Sequence, residues 1–183
     1  MILEYFENDW DNDLYVVSGG NGFSPNTPLL IDRLYINNGN GSFIYNNSSL
    51  PDKFSSGMRV SSADFDKDGD IDLVVGGRVV PGSYPLPAES FLLENISGAN
   101  GIKFKNTDES IFSFKEIGLV TSSVWTDYNN DGWEDLVVVG EWTPIKFYKN
   151  MEGKFSEDTS LIDVDSTRGW WYDIISEDFD NDG

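Results

Sequence analysis

The segment Asp64-Phe65-Asp66-Lys67-Asp68-Gly69-Asp70-Ile71-Asp72-Leu73 places acidic side chains at alternate positions and runs straight into the apolar Val74-Val75-Gly76-Gly77. The pattern returns in Asp127-Tyr128-Asn129-Asn130-Asp131-Gly132-Trp133-Glu134-Asp135-Leu136, ahead of Val137-Val138-Val139-Gly140, and Asp178-Phe179-Asp180-Asn181-Asp182-Gly183 begins it again. Oxygen side chains at relative positions 1, 3, 5 and 9 suit a hard cation, because Ca2+ takes about six to eight oxygens and a Gly at position 6 permits the sharp turn that gathers them. Asp, Asn and Gly are also ordinary turn formers, so a single Asp-Gly pair would carry no weight. The weight lies in the repetition, which predicts calcium loops.

Spacing also selects the kind of loop. A helix-loop-helix calcium site needs a bidentate Glu at position 12, where this chain has Val75 and Val138. The residues beyond position 9 are β-branched and lack helical periodicity, which excludes dockerin-like repeats as well. The cation is therefore expected in a strand-to-strand turn.

Working outward, Asp13-Leu14 aligns with Asp72-Leu73 and Asp135-Leu136 and marks another copy with a degraded loop, in which Tyr5, Glu7 and Asp9 take positions 1, 3 and 5 and Trp10 replaces the Gly. Copies then start 59, 63 and 51 residues apart, too long for a solenoid repeat and suited to a propeller blade carrying insertions. The clearest unit reads as four short strands at 119–126, 135–141, 145–150 and 154–157, with a turn at Glu152-Gly153. The predicted fold is all-β: a partial β-propeller of four-stranded blades, with repeats at roughly 1–57, 58–118 and 119–170 and a truncated one at 171–183, where 170–177 forms a lone first strand.

Chain length, 39% hydrophobic and 14% aromatic content fit one globular unit. Lys plus Arg number 12 against 32 Asp plus Glu, a net charge of −20 that opposes binding to nucleic acid or acidic membranes. Histidine and cysteine are absent, which removes the commonest general base and the usual transition-metal ligands and leaves oxygen donors, suited to calcium or magnesium. No apolar run is long enough to span a membrane. No export signal precedes the first repeat and the last stops inside a motif, so both ends are expected to be boundaries within a longer protein whose remaining blades are partners of this segment.

In an up-and-down blade the loop between strands one and two lies at one end, and the other connections lie at the opposite end. The calcium turns thus occupy one face. The other receives the insertions 20–30 and 78–89, the short 141–144, and the connection 168–171, which carry Arg78, Tyr84, Trp142, Trp170 and Trp171. These residue types make binding surfaces, though aromatics equally pack between blades.

The segments Ala63 to Gly77 and Trp125 to Leu136 resemble the FG-GAP/VCBS repeats of integrin-α-like β-propellers, with closest likeness to the bacterial branch of secreted or surface proteins that often carry an ASPIC/UnbV domain. The resemblance implies a ring of about seven blades. It also implies Ca2+ held by side chains at positions 1, 3, 5 and 9 and a backbone carbonyl at 7. Here these are Asp64, Asp66, Asp68 and Asp72 with Asp70, then Asp127, Asn129, Asp131 and Asp135 with Trp133, and Asp178, Asp180 and Asp182 in the truncated copy. The Phe-Gly and Gly-Ala-Pro signatures of the integrin branch are absent.

Function follows in outline. A binding or adhesion module with structural calcium, extracellular, on a cell surface or periplasmic, is favoured over an enzyme, because the clustered acids are committed to metal and no nucleophile-base pair stands out. A protein or glycan ligand is expected. The enzymatic alternative, a carbohydrate hydrolase or lyase, would use two of Glu89, Glu141 and Glu177, the acids outside the loops. A pure scaffold is the remaining possibility.

Overall fold

A computed structural model describes residues 1–7, 11–112 and 117–180. Its strands form three antiparallel four-stranded sheets, each in simple sequence order. The first contains β1 (Ile2–Glu4), β2 (Asp13–Val16), β3 (Arg33–Asn37) and β4 (Phe43–Asn46). The second contains β5 (Gly57–Ala63), β6 (Asp72–Gly77), β7 (Phe91–Asn95) and β8 (Phe104–Asn106). The third contains β9 (Leu119–Thr126), β10 (Asp135–Glu141), β11 (Lys146–Asn150) and β12 (Phe155–Glu157). Neighbouring sheets meet through their first strands, β1 against β5 and β5 against β9, as propeller blades do. The expected all-β architecture is the one the chain adopts.

The apolar runs explain why blades stack. Every residue of β6 is buried, because the second sheet is covered on both faces. Its pleat sends Leu73, Val75, Phe91 and Leu93 into one cluster with Phe6, Tyr15 and Leu34 of the first blade. Val74 and Leu92 point the other way, into a cluster with Val120, Leu136, Val138 and Tyr148 of the third. The core is thus between blades rather than within them. Gly76 permits the closest approach: a β-carbon there would lie 2.4 Å from Val120 Cγ1.

Residues 170–177, expected as a lone first strand, correct that expectation in part. They run beside β9, where Ser122 Oγ donates to Asp173 Oδ1 at 2.6 Å and Thr121 Oγ1 to the Trp171 carbonyl at 2.7 Å. Beyond a single bridge from Trp170 to Glu141, however, they form no ladder. A first strand is paired by the second strand of its own blade, and none follows among the described residues, so side-chain ties hold the segment instead. No helix of the described residues is long and apolar enough to cross a membrane.

Asp32 supplies a pH-dependent element in the first blade. Its carboxylate accepts from Tyr15 Oη at 2.7 Å and from the Ser18 N–H at 2.6 Å, but burial outweighs these bonds and raises its pKa to about 6. The folded chain therefore holds a proton that the unfolded chain has released between about pH 4 and 6, and this contribution to stability is lost as pH rises through 6. Asp32→Asn cannot titrate. Urea unfolding should show the variant gaining on the parent by about 2 kcal/mol between pH 4 and pH 7, and parallel pH profiles would contradict this.

Candidate metal centre and insertion face

Both complete loops share one backbone course. Position 4 is left-handed in each, Lys67 at φ 62° and Asn130 at φ 56°, as is the Gly at position 6, with φ 95° for Gly69 and 88° for Gly132. The position-1 carboxylate caps the turn, Asp64 Oδ2 accepting from Gly69 N at 3.1 Å and Asp127 Oδ2 from Gly132 N at 2.7 Å. Position 5 accepts from position 7, Asp70 N to Asp68 Oδ1 at 2.9 Å and Trp133 N to Asp131 Oδ1 at 3.0 Å.

In the first loop Asp64, Asp66 and Asp72 each bring a carboxylate oxygen within 4.8 Å of the others. Asp64 Oδ1 is buried and has no hydrogen-bond partner, a costly condition that a cation would relieve. Burial, and then the Asp66 and Asp68 charges, raise the Asp72 pKa to about 8. Burial and Asp68 also raise Asp66 and Asp70. A bound dication reverses that logic by favouring the charged forms. The donor set therefore fits a hard cation. Asp68 lies outside the converged trio.

The second loop is partly neutralised from within. Asn129 Nδ2 donates to Asp135 Oδ2 at 2.8 Å, and Lys149 Nζ lies 3.2 Å from Asp131 Oδ2. The hydrogen bond from Trp133 N and then Lys149 lower the Asp131 pKa, while burial and the Asp131 and Asp127 charges raise Asp135. The two loops are adjacent, Lys67 Nζ standing 4.2 Å from the centre of the Trp133 ring. Of the truncated copy, Asp178 and Asp180 are exposed and Asp182 lies outside the described residues, as do Asp9 and Trp10 of the degraded loop.

The position-9 Asp has a second task that sequence reasoning missed. Asp13, Asp72 and Asp135 are fully buried, and each Oδ1 accepts from the backbone N–H of the Asn ending the third strand: Asn37 at 2.8 Å, Asn95 at 2.7 Å and Asn150 at 2.7 Å. The signal was present, since all three blades carry that Asn, but amide residues at strand ends read as turn formers. Lys149 escaped notice because its contact joins distant positions.

On the opposite face several insertion residues come together. Trp142 Nε1 donates to Tyr84 Oη at 2.5 Å, and the Trp142 and Trp170 rings lie 4.7 Å apart, with Tyr172 stacked beyond Trp170 at 6.4 Å. Trp142 has φ 60°, rare for a bulky residue, and is clamped by its N–H to Gly169 O at 2.8 Å and by Arg168 Nη1 to its carbonyl at 3.0 Å. All three rings of the Tyr84–Trp142–Trp170 cluster are exposed. Trp171 stands apart, its indole donating to Thr167 O at 3.0 Å. Arg78 is turned to Glu141, with Nε 2.9 Å from Oε1 and Nη2 on the same oxygen, so it is a structural cation at the base of this face. Among the acids, Glu141 is fully buried, Glu89 pairs with Lys53 at 3.0 Å, and Glu177 is exposed.

A family model described as the FG-GAP-like repeat matches residues 6–75 and 127–183, which is more than half of the chain and includes both complete acidic loops. No curated protein sequence matches the chain.

Proposed function

The chain belongs to the FG-GAP-like repeat family, and on that footing we propose that it is a calcium-stabilised β-propeller module of an exported protein, recognising a protein or glycan ligand through its insertion loops. The observation that carries the calcium reading is the convergence of Asp64, Asp66 and Asp72 around the buried, unpartnered Asp64 Oδ1. When bound, Ca2+ supplies charge compensation and a rigid node. The protein's own residues do the rest: Asp64 and Asp68 fix the turn, and Asp72 ties it to β7 through Asn95.

Affinity should fall in the range of extracellular modules, on the order of 10⁻⁴ to 10⁻³ M. The second loop should bind more weakly, because Asn129 offers a neutral oxygen and Lys149 already sits on Asp131. In calorimetric titration, Asp68→Ala, which removes the acceptor that holds the turn, should weaken the tighter site and Asp131→Ala the weaker one, while Lys149→Met should tighten the latter. Unchanged isotherms in all three variants would contradict the assignment. Cytosolic calcium is too low for such sites, which supports an extracellular, surface or periplasmic location; recovery of the native protein from the cytosol would contradict it.

The recognition face rests on exposed Tyr84, Trp142 and Trp170, residue types that anchor interfaces, held over a rigid base by the Arg78–Glu141 pair. A glycan array probed with the parent and with a Trp142→Ala, Trp170→Ala double variant tests it. Glycan signals lost in the double variant support this face, and signals retained undiminished place recognition elsewhere. Further blades complete the ring in this reading.

A further inference from the structure

One amide side chain grips both complete loops. Asn150 Nδ2 donates to Phe65 O, position 2 of the first loop, at 2.8 Å and to Glu134 O, position 8 of the second, at 3.0 Å. Its backbone N–H donates at 2.7 Å to Asp135 Oδ1, position 9 of the second loop, and its Oδ1 accepts from Gly153 N at 2.8 Å. Asn150 is fully buried, so none of these bonds can be traded for one to water. Phe65 carries the connection onward, its own N–H donating at 3.3 Å to Asp72 Oδ2, position 9 of the first loop. The two position-9 carboxylates thus end one interior relay that runs Asp135, Asn150, Phe65, Asp72.

The loops also meet nearer the surface. Lys67 Nζ, at position 4 of the first, stands 4.2 Å from the ring centre of Trp133, at position 7 of the second, whose carbonyl the family resemblance implies as a ligand. A β-carbon on Gly153 would lie 3.3 Å from Asp66 Cβ, so the turn that Asn150 holds packs against position 3 of the first loop. Each contact falls on, or next to, a member of the candidate donor sets. The relay is moreover built twice: Asn95 holds Asp72 through its backbone N–H, and its Nδ2 donates to Ile71 O, position 8, at 3.1 Å and across to Phe6 O of the first blade at 3.3 Å.

We infer that the two complete loops are coupled sites, in which a divalent cation held by one raises the affinity of the other, and that Asn150 is the positioning residue that couples them. The inference rests on the calcium reading proposed above. With Asp135 fixed by a cation, the Asn150 backbone is fixed, and with it the amide that holds Phe65 O. The first loop then has less conformational freedom left to lose when it fills, and the same holds in reverse. Charge works against this, because a cation in one loop lessens the pull of its acids on a cation in the other. Salt at about 0.15 M screens charges separated across solvent by more than about 8 Å but leaves a buried relay untouched, so raising it should preserve or strengthen the coupling.

Calorimetric titration of the whole chain with CaCl2 tests this by comparing each loop with its partner intact or disabled. Disabling the first site with Asp64→Ala and Asp66→Ala should weaken the second by about fivefold or more, and disabling the second with Asp127→Ala and Asp131→Ala should weaken the first by the same factor, since coupling is reciprocal. In an Asn150→Leu background both factors should shrink toward unity. Hydrogen exchange needs no change at Asn150 and guards against an unfolded variant. With the first site disabled, CaCl2 should slow exchange of the Phe65 N–H; with the second disabled, it should slow that of the Asn150 N–H. Affinities indifferent to the partner loop, factors unchanged by Asn150→Leu, or exchange slowed only in the loop that fills overturn the inference and leave the calcium sites standing. A parent that takes up no calcium overturns the calcium reading and this inference with it.

Discussion

Arg78→Met should destabilise the fold by about 1–3 kcal/mol, the cost of leaving the buried Glu141 carboxylate without its donor when the Arg78 side chain is itself 39% exposed to water. Glu141 ends β10 fully buried, and its Oε1 takes both contacts from the Arg78 guanidinium, which reaches across from the end of β6. Without Arg78 that carboxylate would lie between two blades with no cation beside it. Replacing the pair by apolar residues is often neutral, so Arg78→Met combined with Glu141→Leu should recover most of the loss. Arg78→Lys should recover only part, because an ammonium lacks the planar fork that supplies two donors. Urea unfolding with an unchanged slope is the measurement. A loss below about 1 kcal/mol for Arg78→Met, the size of an ordinary substitution, would mean that the pair does not hold the blades.

Asp72 is the second position of large effect. Its Oδ1 accepts from Asn95 N at 2.7 Å and its Oδ2 from Phe65 N at 3.3 Å, both in the interior. Asp72→Ala strands two buried N–H groups at about 1–3 kcal/mol each and removes a cation ligand as well. Asp72→Asn retains an acceptor for Asn95 but loses the charge. In EGTA the Ala variant should therefore fall well below the parent and the Asn variant lie near it, whereas in calcium both should lack much of the parent's gain. Equal losses for Ala and Asn in EGTA would show that the hydrogen bonds are not what Asp72 contributes.

The blades were legible because two periodicities agreed. The repeat of Asp loops set the unit length, and the β-branched runs after Asp72 and Asp135 read as buried strands, which β6 and β10 are. The loop course was legible for the same reason, since Gly at position 6 takes the positive φ of the turn, 95° at Gly69 and 88° at Gly132, without steric cost. What stayed hidden depends on contacts between residues far apart in sequence. Nothing near Arg78 in the chain announces Glu141, and nothing near Asp131 except its charge announces Lys149. The joint formed by Asn95 and Asn150 with Phe6 and Phe65 needs two blades in register before its logic appears. The run 170–177 has the composition of a strand but lacks a ladder, because strand propensity requires a partner to become a strand.

The central claim is that calcium in the strand-to-strand loops is structural. Metal-free, the crowding of Asp64, Asp66 and Asp72 is relieved by a proton held on Asp72, whose pKa is raised to about 8, whereas a cation that binds only the folded state favours the charged carboxylates and adds stability by mass action. At about 5 mM CaCl2 and the affinities expected here, each site contributes roughly 1–2 kcal/mol. Thermal unfolding in CaCl2 against EGTA, with MgCl2 as control, is the measurement. The expected result is a midpoint roughly 5–15 °C higher in calcium, with a smaller shift in magnesium, which dehydrates reluctantly. Coincident midpoints in calcium and EGTA would contradict the account.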